Sequence, residues 1–207
     1  MANSSDKRLF LIDAYAMIFR GYYGLIRNPR ITSKGLDVSA IFGFTNSLIE
    51  LIKREKPSHL AVVFDVGKEN IRTQEFPEYK AHRNETPEAI KVGVPYIQKI
   101  LEAMKIPILG VEGYEADDVI GTVAHKAEKE GYTVFMVTPD KDFGQLVTNN
   151  IKIYKPASKG GDVEIIGIAE VKAKYGIKHP KQVIDILAMM GDAVDNIPGL
   201  QGVGEKT

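Results

Sequence analysis

Three carboxylates fall within four residues in the stretch Gly113-Tyr114-Glu115-Ala116-Asp117-Asp118. An apolar run, 106–111, precedes them, and Val119, Ile120, Val123, Ala124 and Ala127 follow at helical spacing. The acids therefore sit at a helix N-terminus. One or two acids there favour the helix macrodipole, but a third adds self-repulsion unless a cation stands among them. Taken alone, the stretch suits helix capping and metal binding alike.

Other acids shift that balance. Residues 9–13, 60–65 and 133–140 each read as a buried strand that ends at or just past an aspartate: Asp13, Asp65 and Asp140. In parallel α/β sheets, ligands bind beyond the carboxyl ends of the strands, so these three and the Glu115 cluster are expected to converge. Asp142 follows Asp140 by two residues. Asp192 and Asp195, three apart in Gly191-Asp192-Ala193-Val194-Asp195-Asn196, point the same way in a turn or helix. Nine acids share a pocket only when most are neutralised. Hard oxygen ligands without His or Cys select magnesium or manganese over zinc. Two such ions about 4 Å apart are a standard solution for phosphodiester hydrolysis. No Ser-His-Asp or Cys-His pattern competes, and His59, His82, His125 and His179 are assigned no chemistry.

The 207 residues suffice for one sizeable domain, or one plus a fragment, and 44% hydrophobic content argues for a core. No apolar run is long enough for a membrane span, the start lacks a signal-peptide stretch, and cysteine is absent. A cytosolic protein is the simplest expectation. The 27 basic and 27 acidic residues cancel, but setting nine acids aside leaves the remainder with nine net positive charges. A negative pocket in a positive body suits a phosphodiester substrate. The excess lies in 14–36 (Arg20, Arg27, Arg30 and Lys34, with no acid) and in 151–181, with seven lysines against Asp162, Glu164 and Glu170. Both stretches also suit solvated surfaces.

Several elements must position these groups. Phe19, Arg20, Tyr22 and Tyr23 interleave rings with a cation, as a base-stacking platform does, while Met17, Ile18 and Phe19 equally suit a core. Residues 27–35 read as a loop and 39–54 as a helix. Segment 66–88 carries Lys68, Arg72, Lys80, His82 and Arg83 among many glutamates, with little apolar content. It is expected to project over the strand ends, partly helical at 77–84, with Lys80 and Arg83 on one helical face. A helix with Thr86 as N-cap and Pro87 in its first position runs to Met104. The Glu115 helix ends near Gly131. Residues 151–155 and 163–166 read as short strands of an antiparallel edge around the turn 158–161, and 168–175 and 182–190 as helices. The tail Gly202-Val203-Gly204-Glu205-Lys206-Thr207 offers backbone N–H groups and a lysine as a phosphate-binding nest, without Walker A spacing. It stops where a helix should follow, so a truncated chain is expected.

The motifs Leu-Ile-Asp13, Val-Phe-Asp65, Tyr79-Lys80-Ala81-His82-Arg83, 113–118, Thr138-Pro139-Asp140-Lys141-Asp142 and 191–199 together resemble the 5′–3′ exonuclease (flap endonuclease) family, the domain type found in bacterial DNA polymerase I. The resemblance covers essentially the whole chain. It implies a PIN-like α/β fold, a mostly parallel sheet flanked by helices, over residues 1–180. A helical arch would occupy 66–90, and 181–207 would form an incomplete helix–three-turn–helix. It implies structure-specific hydrolysis of DNA by two magnesium or manganese ions in primer removal and repair. Asp13, Asp65, Glu115 and Asp117 would form the tighter metal site and Asp140, Asp142 and Asp195 the second, with Asp118 and Asp192 in support. Lys80 and Arg83 would act on the scissile phosphate, and Phe19 would stack on the terminal base. Arg20, Arg72, Tyr79, Gly202, Gly204, Lys206 and Thr207 would contact DNA. Potassium would bind a complete helix–three-turn–helix. The implied partner is DNA with a 5′ flap or a 5′ end beside duplex, with a polymerase domain in the natural chain, for a monomer in the bacterial cytoplasm at the nucleoid. A PIN-type ribonuclease and a non-catalytic nucleic-acid-binding module remain alternatives.

Overall fold

β1 (Arg8–Asp13) lies in the middle of a sheet that runs outward from it in both directions. The computed structural model describes residues 7–67, 70–156 and 162–204. The turn expected at 158–161, together with Lys68, Glu205, Lys206 and Thr207, lies outside them. After β1 come α1 (Ala14–Leu25), α2 (Ser39–Glu55), β2 (His59–Val63), α3 (Ile71–Glu75), α4 (Glu88–Ala103) and β3 (Ile108–Leu109). Next are α5 (Ala116–Lys129), β4 (Thr133–Val137) and a 3-10 turn at Lys141–Leu146. The described chain closes with β5 (Ile151–Lys155), β6 (Glu164–Ile166), α6 (Ile168–Tyr175) and α7 (Val183–Met190). The strand order is β3-β2-β1-β4-β5-β6. Five strands run parallel, and β6 pairs antiparallel with β5. The antiparallel edge expected for 151–166 is therefore β6 alone, while β5 sits inside the parallel sheet. Among the described residues no helix is long and apolar enough to cross a membrane.

The strands read as near-continuous apolar runs because both faces are covered. Phe10, Ile12, Val62 and Val137 face one way, into a core with Ile18 of α1, Phe44 and Leu48 of α2, and Ile97 and Leu101 of α4. Leu11, Ala61, Val63, Val134 and Met136 face the other way, onto Val119, Ile120 and Ala124 of α5 and Val171 of α6. Successive strands from β1 to β3 step one way and β4 to β5 the other. The crossovers therefore diverge between β1 and β4, where such sheets place ligands.

α1 and α2 approach closely at glycines. A Cβ on Gly43 would lie 2.5 Å from Gly21 Cα, with no flexible side chain to yield. Gly43→Ala is expected to lower stability by about 3 kcal/mol, near the upper range for overpacking, as read by chemical denaturation. A loss under about 1 kcal/mol would show that the helices slide apart freely.

Two boundaries differ from the sequence expectation. The helix in the projecting segment is α3, not 77–84. Asn70 starts α3, its side chain accepting from Thr73 N at 2.9 Å. Residues 77–82 are turns, because Lys80 takes a left-handed φ of 59°, which ends any helix there. α4 begins after Pro87, whose ψ of 141° keeps it extended and makes it the N-cap in place of Thr86.

Candidate active site

The strand ends deliver their aspartates to one place. Asp13 closes β1. Its Oδ1 accepts from Ala16 N at 3.0 Å and caps α1, while Oδ2 accepts from the Thr138 hydroxyl at 3.2 Å. Asp65, just past β2, accepts from Ala116 N at 2.8 Å and so joins that strand end to the first turn of α5. Glu115 is the N-cap of α5, with Asp117 and Asp118 in the first turn. Asp140 caps the 3-10 turn after β4 by accepting from Asp142 N at 2.9 Å. These seven acids and Asp195 line one cavity of about 640 Å³. Asp192 stands outside that lining. Its Oδ1 accepts from Val194 N at 2.7 Å and Asp195 N at 3.3 Å, so it shapes the turn that carries Asp195.

The opposite wall is the segment from α3 to Arg83. Arg72 forks onto both oxygens of Asp118 at 2.7 and 2.8 Å. Lys80 Nζ reaches Glu115 Oε1 at 2.7 Å and Asp195 Oδ2 at 3.8 Å. Arg83 pairs with Asp195 Oδ1. The buried Tyr79 hydroxyl donates to Glu115 Oε2 at 2.9 Å and also lies 3.2 Å from Asp195 Oδ2. Backbone contacts fasten this wall to the 191–197 turn: Lys80 N donates to Asp195 O at 2.9 Å, and Asn196 Nδ2 to Glu78 O at 2.8 Å. Lys80 and Arg83 thus meet the acids from a turn rather than from one helical face.

The charge distribution is uneven. Arg72 holds the Asp118 carboxyl below the usual range. Burial, then the charges of Asp13 and Asp140, pushes Asp117 up to about 8. Burial raises Asp13 to about 6, helped by Asp65 and opposed by the Ala16 N–H. Burial raises Asp142 to about 6, with Asp140 and Asp192 adding to it. Burial also lifts the Tyr79 phenol, reinforced by Glu115, so it stays a donor. Asp142 Oδ1 is buried without a hydrogen-bond partner. Among the described residues no three acid side chains already stand in metal-ligand geometry, and the three cations occupy Glu115, Asp118 and Asp195. An all-oxygen donor set with an orphaned carboxylate oxygen and three carboxyls raised by burial and by one another fits a hard divalent cation.

The DNA-contact candidates scatter. Phe19 faces the acid cavity, half-buried and stacked on Tyr23 at 6.1 Å. Arg20 borders a separate small groove with Glu50, Arg54 and Tyr154. Gly202, with φ 81°, and Gly204 are exposed and outside the lining of the acid cavity. The wall also includes residues that no motif marks, among them Tyr15, Thr122, His125 and Gln145. His125 lies outside every motif, yet it stands two turns beyond Asp118 on the face that also carries Thr122. That spacing was the available signal. Asn70 and Thr138 hold Glu115 and Asp13 by single hydrogen bonds, which no local pattern announces.

Comparison with known proteins gives a consistent result. Residues 8–176 match the family described as 5′–3′ exonuclease, N-terminal resolvase-like domain, and 178–207 the 5′–3′ exonuclease, C-terminal SAM fold. A 5′–3′ exonuclease of Aquifex aeolicus is 40% identical over 201 residues, covering 97% of this chain and 67% of that protein. DNA polymerase I of Bacillus subtilis is 41% identical over 202 residues, 97% of this chain but only 22% of that protein. A bacteriophage T5 flap endonuclease, solved with DNA and metal ions as a pseudo-enzyme-product complex, aligns with a TM-score of 0.73 and 22% identity. That alignment covers 96% of this chain and 72% of the T5 chain. The likeness is one of fold, the PIN-like α/β arrangement that the motifs imply.

Proposed function

Because the chain belongs to the 5′–3′ exonuclease family, we propose that it hydrolyses DNA phosphodiesters at a 5′ flap or a 5′ end beside duplex, with two divalent ions. One observation carries the reading: eight carboxylates from strand ends, a helix start and a distant turn line one cavity, faced by three cations on a crossing segment. A body that gathers that many acids needs positive charge from outside, and a phosphodiester backbone needs the cations.

Asp13, Asp65, Glu115 and Asp117 would hold the first ion. Asp140, Asp142 and Asp195 would hold the second, with Asp118 and Asp192 fixing the turns around them. Bound there, magnesium or manganese would supply hydroxide at neutral pH and positive charge at the leaving oxygen. The residues do the rest. Lys80 and Arg83 transfer from carboxylates to the scissile phosphate, where charge grows during reaction. Tyr79 keeps Glu115 oriented. Phe19 offers a ring at the cavity wall to the terminal base. Residues 1–180 constitute the nuclease domain, and 181–207 open a duplex-binding region.

Labelled 5′-flap DNA tests this directly. Cleavage is expected with magnesium and none in EDTA, and magnesium should raise the melting temperature, since an ion that binds only the folded state stabilises it. Full activity in EDTA would overturn the metal reading, and cleavage of RNA in preference to DNA would favour a ribonuclease. Phe19→Ala should slow cleavage at a fully paired 5′ end about tenfold more than at a pre-unpaired flap, because stacking of about 1–3 kcal/mol per base offsets unpairing. Equal losses on both substrates with a lowered melting temperature would assign Phe19 to the core.

A further inference from the structure

Glu115 is buried, 8% exposed, and four groups surround its carboxylate. Lys80 lies on Oε1, Tyr79 is on Oε2, and Arg72 is 3.6 Å from Oε2. The fourth is the side-chain amide of Asn70, whose Nδ2 donates to Oε1 at 2.8 Å. Three of the four sit in motifs that read as charge or phosphate chemistry. Asn70 is neutral, so it cannot offset the charge of Glu115. What it can do is hold one oxygen in a fixed direction.

The other end of the same amide is also engaged. Asn70 Oδ1 accepts from Thr73 N at 2.9 Å, and Asn70 N approaches Thr73 Oγ1 at 3.1 Å, a reciprocal cap on α3. Alongside, Asn70 pairs in a short parallel bridge with Gly113, and Ile71 N donates to Gly113 O at 3.1 Å. One side chain thus starts the helix that carries Arg72 and grips the carboxylate two residues beyond Gly113. Few side chains can fill both roles. Serine, threonine and aspartate cap a helix, but none of them can cap and also donate at that reach.

We propose that Asn70 is a positioning residue that fixes the Glu115 carboxylate for metal binding and ties that orientation to the start of α3. When Lys80 leaves Glu115 for a phosphate, Oε1 keeps the Asn70 amide and does not swing free. The proposal rests on the metal reading of Glu115. It predicts that cap and grip are separable by substitution. Asn70→Ser retains a capping oxygen and loses the donor. Asn70→Ala loses both.

Calorimetric titration of the whole chain with Mn²⁺ alone, paired with melting in EDTA, separates the roles. Both variants are expected to bind Mn²⁺ about tenfold more weakly than wild type, the lower end of the effect of losing a group that orients a ligand. Both variants lose the Glu115 hydrogen bond, so Asn70→Ala should melt a few degrees below Asn70→Ser, the difference being the lost cap. Wild-type Mn²⁺ affinity in Asn70→Ser would overturn the positioning role and leave Asn70 a simple cap. Failure of the wild-type chain itself to bind Mn²⁺ would overturn the metal reading, and this inference with it.

Discussion

Lys80→Ala is expected to slow single-turnover cleavage of 5′-flap DNA by about 10²–10³-fold while changing DNA affinity only a few-fold, since one preorganised charge donor at a growing oxyanion has that weight. The geometry explains the asymmetry. Lys80 sits 24% exposed with its ammonium 2.7 Å from a buried carboxylate, so the cavity already holds it partly shielded and aimed at the acids. Arg72 and Arg83 stand nearer solvent and continue to attract the backbone without it. Lys80→Arg should recover little, because the planar fork does not fit a site that holds a point charge. Single-turnover rates at saturating enzyme decide the matter, and a variant that cleaves within threefold of wild type would remove Lys80 from the chemistry.

Asp117→Asn should have the second large effect, and in two directions. Cleavage should fall by about 10³-fold or more, since the proposed function makes Asp117 a ligand of a catalytic ion. In EDTA the fold should become more stable. Asp117 titrates in the folded chain at about 8 against an ordinary 3.8, because it is buried among Asp13 and Asp140. A raised carboxyl pKa means the folded state binds the extra proton. Stability is therefore full below the ordinary value and is lost as pH rises through the window from about 4 to 8. At pH 8 the amide variant should exceed wild type by on the order of 3 kcal/mol, and the gap should close toward pH 4. Magnesium should narrow it by stabilising wild type more than the variant. Denaturation across pH in EDTA checks the sign, and a variant less stable than wild type at pH 8 would show that Asp117 is held by favourable contacts.

The sheet was legible because its strands are short, apolar and doubly buried, and because each of three strands ends at or within three residues of an aspartate: Asp13, Asp65 and Asp140. The α5 start was legible from Glu115, Asp117 and Asp118 themselves. The crossing segment was legible in its place over the strand ends but not in its internal structure. α3 has five residues, none buried, so no period betrays it. The turn that presents Lys80 depends on a hydrogen bond to Asp195 O, more than a hundred residues away, which no window of sequence contains. His125 lies outside every motif, although the helix brings it to the cavity wall. The Gly21–Gly43 approach was likewise invisible, since each glycine alone looks like an ordinary helix weakness.

The left-handed backbone at Lys80 has a consequence for anyone who would improve this protein. A lysine at φ 59° sits where glycine or asparagine is the more comfortable resident, by about 1 kcal/mol. A library sorted for thermal tolerance alone would therefore drift toward Gly or Asn at position 80. It would report success while deleting the ammonium that the cavity is shaped to hold. Selections on this scaffold should read out turnover alongside heat resistance from the first round.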